Sequence, residues 1–213
     1  MDEGGALYGT TQVSDTRQPQ GGTVFKLTLP TVKGGPWTEA VLYKFCSKTA
    51  CVDGAIPQAN LIMDEQGALF GTTVTGGSRN QGTVFKLAPP SVAGGPWTET
   101  VLYSFCSMTN CTDGAVPVSG LITDKHGAHF GTTSSGGYLN GGGTVFKMTP
   151  PSTAQGLWTE TVLYRFCSPS NCADGSRPNA DLIRAKAESW WRHERVRRRI
   201  VGVFNASTSP PKE

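Results

Sequence analysis

The chain has 213 residues, of which 16% are charged, 27 are glycine and 14 are proline, and its formal net charge is +3. That length suffices to bury a sizeable core, and the glycine and proline content excludes a fold of long helices in favour of short strands and many turns. The charge is split, −2 over residues 1–183 and +5 over residues 184–213, so a basic surface for nucleic acid or anionic membrane is confined to the tail.

In chain order, "MDEGGALYGTT" lacks a basic leader and an apolar run, so it does not read as a secretory signal. Its "ALYGTT" predicts a strand. "GTVFKLTLP" from Gly22 predicts a second, with Val24 and Lys26 on one face and Phe25 and Leu27 on the other. "WTEAVLYKFC" from Trp37 mixes β-branched and aromatic residues and predicts a third. The segment "FCSKTACVDGAIP" is rich in turn formers, and "NLIMD" then predicts a short strand before the turn "DEQG". From there the words recur. "GTVFKLAPP" begins at Gly82 and "GTVFKMTPP" at Gly143, while "WTETVLYSFC" begins at Trp97 and "WTETVLYRFC" at Trp158. "ANLIMDEQGALFGTT" from Ala59 is answered by "SGLITDKHGAHFGTT" from Ser119. The offsets are 60, 61 and 62 residues, and the small length differences fall in turn-rich connections.

A period near sixty with four short strands per unit predicts an all-β tandem array of β-propeller-like blades, three units in permuted phase over residues 1–183. A β-solenoid is the alternative. No unit contains the uninterrupted amphipathic run of about 10–12 residues a stable helix needs. The chain opens in the phase of Met63 and leaves the pattern at Ile183, giving twelve strand candidates, the last of which, "ADLI", would pair with the first unit. Three blades leave unpaired edges, so further repeats, or a second copy of the chain, are expected to complete a ring, and the chain reads as a piece of a longer array.

Taken together, "GALFGTT", "GTVFKL", "ETVLYSF" and "DGAVPVSGLITD" resemble the Gloeo/Verruco (GloVer) repeat, the tandem repeat of bacterial choice-of-anchor proteins. The resemblance covers residues 1–183. It implies a bacterial, exported or surface-attached repeat protein and carries no catalytic residues with it.

The cysteines pair as Cys46/Cys51, Cys106/Cys111 and Cys167/Cys172. A turn can bring two Cα atoms with four residues between them within the ~7 Å a disulfide requires. Structural zinc favours about two to four intervening residues, and repeats hold their pairs apart. A thioredoxin-like centre needs C-x-x-C at a helix start. Local disulfides are therefore expected, with no metal and no cofactor. Asp53, Asp113 and Asp174 each precede glycine after the second cysteine; a calcium site would need more oxygen ligands, and the turn reading is preferred. Trp37, Trp97 and Trp158 are the ligand-binding candidates, suited to stacking on sugar rings, although packing between blades would also bury them. Gly76, Gly77, Gly136 and Gly137 lack the strand–loop–helix context of a phosphate loop. His126 is expected in a turn, and His129 replaces the Leu or Tyr of other copies; neither recurs in every unit, and no catalytic set emerges from spacing.

The tail over residues 184–213 is basic, with a possible helix over 184–199 bearing Trp190 and Trp191 beside Arg192, Arg195, Arg197, Arg198 and Arg199 before a disordered end. The reading that follows is a non-catalytic extracellular or surface scaffold that binds glycans or proteins through its loops. The alternatives are a propeller enzyme with a central-channel site and tail-mediated binding to nucleic acid or anionic membrane.

Overall fold

The computed structural model describes residues 4–14, 21–138, 141–153, 156–168 and 171–184. The compact body runs Met1–Leu182 and is distinct from Ile183–Glu213. The expected helix and disordered end of the tail lie almost wholly in 185–213, outside the described residues.

The described residues form three antiparallel sheets in chain order. The first holds β1 (Leu7–Thr11), β2 (Thr23–Thr28) and β3 (Thr38–Lys44). The second holds β4 (Ile62–Met63), β5 (Leu69–Thr73), β6 (Thr83–Ala88) and β7 (Thr98–Ser104). The third repeats it with β8 (Ile122–Thr123), β9 (His129–Thr133), β10 (Thr144–Thr149) and β11 (Thr159–Arg165). Each sheet is a meander of adjacent hairpins, and none closes on itself. The all-β expectation and the tandem strand order hold. The twelfth strand does not: Ala180–Ile183 carries no strand, so the first sheet has three strands and receives no pairing from the end of the array. Asp181 contributes side-chain contacts instead. Its two carboxylate oxygens accept from the Asn60 amide and from the Gly120 backbone N–H.

The three sheets share local detail. A register shift falls at Val24/Phe25, Val84/Phe85 and Val145/Phe146, where the last strand of each meander carries an extra residue. Threonine hydroxyls join neighbouring strands, Thr11 to Thr23 at 2.8 Å, Thr73 to Thr83 at 2.8 Å and Thr133 to Thr144 at 2.9 Å.

Period-two alternation places the core between sheets. One cluster joins Val24, Phe45, Tyr8 and Leu42 of the first unit to Leu69, Phe85, Leu87 and Trp97 of the second. The other joins Phe70, Val84, Phe105 and Leu102 of the second to Phe146, Met148, Leu121 and Trp158 of the third. Val84 and Phe85, adjacent in β6, thus enter opposite junctions, as alternation along a pleated strand dictates. The fully buried phenylalanines meet edge to face across each junction, Phe45 on Phe85 at 4.9 Å and Phe105 on Phe146 at 5.0 Å. A backbone strap adds to each. Ile56 N–H donates to Gly21 O while Ile56 O accepts from Val74 N–H, and Val116 does the same with Gln81 and Ser134.

Candidate functional site

The cysteine segment follows the last strand of each meander, where Tyr43, Ser47 and Asp53 recur as Tyr103, Ser107 and Asp113 and as Tyr164, Ser168 and Asp174. All three expected disulfides are present, Cys46–Cys51, Cys106–Cys111 and Cys167–Cys172, with Cα atoms 3.9–4.0 Å apart. Asp53 and Asp113 are fully buried. Asp53 Oδ2 accepts from the Tyr43 hydroxyl at 2.9 Å, Ser47 N–H at 2.9 Å and the Ser47 hydroxyl at 2.8 Å, while Oδ1 faces Lys48 N–H at 3.4 Å. Asp113 repeats this with Tyr103, Ser107 and Met108. Burial pushes the phenols of Tyr43 and Tyr103 well up, reinforced by donation to their aspartates. A carboxylate so satisfied organises a turn, as expected of Asp53 and Asp113, and its serine, donating to carboxylate with no imidazole beside it, is not an activated nucleophile. Asp174 binds the Tyr164 hydroxyl at 2.8 Å and Cys167 N–H at 3.1 Å.

Charge also crosses the junctions. Lys48, in the first cysteine loop, places Nζ 2.9 Å from Oε2 of Glu99 on β7. Burial raises the Glu99 carboxyl, and the Lys48 ammonium only partly offsets that, while the same bond raises Lys48. Loss of hydration outweighs attraction for the buried partner.

A groove of about 320 Å³ lies between the second and third sheets, lined among others by Phe70, Lys86, Thr123, His126, His129 and Trp158. His129 stands where the second unit has Leu69, so its ring is buried between Phe70 at 4.5 Å and Trp158, on which it stacks at 5.0 Å and 16°. Its Nδ1 lies 2.9 Å from the Thr123 hydroxyl, and Nε2 has no hydrogen-bond partner among the described residues. Burial lowers the imidazole to about 4, so the ring is neutral at ordinary pH. Lys86 Nζ lies 5.5 Å over the Phe70 ring, which places a cation on the groove wall. His126 sits in the expected turn, its N–H bonded to Asp124 Oδ1 at 2.8 Å.

The structure therefore separates the three tryptophans. Trp97 packs against the first junction and Trp158 against the second, where it also lines the groove, while Trp37 is 44% exposed. They are distributed one per unit and do not converge. Among the described residues no group of three or more His, Cys, Asp or Glu is placed to hold a metal. Spacing alone overlooked the Tyr–Ser–Asp network, although its three members recur at the same intervals in every unit. It overlooked Glu99 and its equivalent Glu160 because a buried carboxylate inside "WTET" looks like any exposed strand residue.

No curated protein and no solved structure matches this chain. A family model does: the Gloeobacter/Verrucomicrobia repeat matches residues 1–191. With its words recurring in sequence and its sheets recurring in space, the chain belongs to the Gloeobacter/Verrucomicrobia repeat family.

Proposed function

We propose that this chain is a non-catalytic, extracellular or surface-exposed repeat scaffold whose sheets are arranged as propeller-like blades, and that it binds carbohydrate in the groove between its second and third sheets. The carrying observation is the aromatic wall of that groove, Trp158 stacked on His129 beside Phe70, with polar groups of Thr123, Lys86 and His126 around it. Sugar rings present an apolar face for stacking and hydroxyls for a polar rim, and that combination fits such a wall. Asp181 supports the blade arrangement, because one carboxylate reaches Asn60 and Gly120, the same position in successive units. Three disulfides fit an oxidising compartment.

The scaffold continues through its end faces. Phe25, Leu27 and Trp37 of the first sheet and Val145, Leu163 and Tyr164 of the third are more exposed than their counterparts at the two junctions. Further repeats or a second copy of the chain would cover them.

A glycan array probed with the purified chain, followed by calorimetric titration of the oligosaccharides it retains, tests the binding reading. Trp158→Ala and the rim variant His126→Ala should each weaken retention at least about fivefold, and Trp37→Ala should not. Retention of no glycan, or equal retention by all three variants, overturns it.

A further inference from the structure

The two junctions are built on one plan, and a charged pair is among the points at which they differ. In the first, the cysteine loop supplies Lys48, whose ammonium meets the buried Glu99. In the second, the loop backbone has the same placement, with Met108 N–H on Asp113 Oδ1 at 3.3 Å as Lys48 N–H is on Asp53 Oδ1 at 3.4 Å. The side chain there is now a thioether, 51% exposed. The carboxylate it should have met remains. Glu160 is 9% exposed, and neither of its oxygens has a hydrogen-bond partner among the described residues.

We propose that the junction between the second and third sheets is a proton-controlled joint, closed when Glu160 carries a proton and loosened when it is ionised. The groups facing Glu160 account for this. From the second unit come Asp113, whose negative charge opposes a second one, and the Tyr103 hydroxyl, which is committed to Asp113. On its own strand, Arg165 is the favourable cation, but its guanidinium donates to Thr112 O at 3.2 Å and lies 5.8 Å over the Tyr138 ring, outside hydrogen-bond reach of Glu160. Asp113 already accepts from the Tyr103 hydroxyl and from the Ser107 N–H and hydroxyl, whereas Glu160 accepts from nothing among the described residues, so Glu160 is the carboxyl that gains from a proton. Burial, then Asp113, lift it to about 7 against the weaker pull of Arg165.

The sign follows from linkage. An opened junction hydrates Glu160 and returns it to an ordinary carboxyl, so closure is favoured at low pH and is progressively lost as pH rises from about 4.5 to about 7. Between pH 6 and pH 8 ionisation of Glu160 by itself raises the open fraction up to about tenfold, while His129, buried neutral in the same junction, works in the opposite direction near pH 6. The first junction, with Lys48 in place, serves as an internal reference.

Amide hydrogen exchange on the intact, disulfide-bonded chain reads both junctions at once. After correction for intrinsic exchange rates, protection of β10 and β11, taken relative to Glu160→Gln at the same pH so that the opposing His129 contribution cancels, should fall about tenfold from pH 6 to pH 8, and protection of β2 and β3 should change far less. Glu160→Gln, which cannot ionise, should abolish that fall whatever its absolute stability. Met108→Lys, which restores the missing ammonium, should suppress it above pH 7. A Glu160→Gln chain that keeps the wild-type pH dependence overturns the proposal, as does a wild-type chain whose two junctions respond alike.

Discussion

Truncating Phe85 to alanine removes a ring that is fully enclosed between the first and second sheets and meets Phe45 edge to face at 4.9 Å. The surrounding strands are fixed by hydrogen-bond ladders on both sides, so the site cannot collapse onto the void, and the cost should be about 3–5 kcal/mol. Phe25 is the same residue in the same register of the first sheet, but it is only half-buried, with no other sheet against it among the described residues. With roughly half the burial lost and little cavity left behind, Phe25→Ala should cost about 1–2 kcal/mol. Urea unfolding followed by tryptophan fluorescence separates the two, since Trp97 packs in the Phe85 cluster and reports directly on that junction. In a stack of units stabilised by nearest-neighbour contacts, Phe85→Ala should also split the transition, releasing the first sheet before the others. If the two variants prove equally destabilising in dilute solution, the burial that distinguishes them is not what holds the sheets together, and the account of the core fails.

Three further outcomes can be checked with the same unfolding assay. Asp113→Ala strands the Tyr103 hydroxyl and the Ser107 amide and hydroxyl, and should cost about 3 kcal/mol, whereas Asp174→Ala, in a more open loop, should cost clearly less. Replacing Cys106 and Cys111 together by serine opens a six-residue loop and should cost about 2 kcal/mol; no loss relative to the reduced wild type is expected. His129 is held neutral with its imidazole at about 4 against an unfolded value of 6.5, so stability should fall as pH drops from about 6.5 toward 4. His129→Leu, which copies Leu69 of the preceding unit, should remove that acid loss, as measured by the melting temperature at pH 5 and pH 7.

Much of this architecture could be read from the chain because a repeat advertises itself. "GTVFKL" states a period of two within a strand and returns at a fixed interval, so the strands, their order and the three disulfides followed from local chemistry. What escaped was non-local. Residues 180–183 carry the same apolar pattern as Leu61 and Ile62, yet strand formation there requires a neighbouring edge, and Asp181 bonds instead with Asn60 and Gly120. Of the groove lining, the sequence offers Trp158 as a recurring aromatic and His129 as a substitution, but stacking between them depends on which face of each strand meets the next sheet. Lys48 and Glu99 lie 51 residues apart, and nothing local to either announces the other. The significance of Met108 emerges only after superposing one loop on its predecessor.

Gly9, Gly71 and Gly131 lie beneath the rings of Phe25, Phe85 and Phe146, where an added Cβ would stand only 2.6–2.8 Å from the ring tip. Each aromatic disc therefore rests on bare backbone and lies flat across its own layer. A methyl group at any of these spots would prop the disc up like a pebble under a paving slab. The glycine in each "GTT" word thus governs how thick a layer is, and a misfit there would tilt every layer stacked after it.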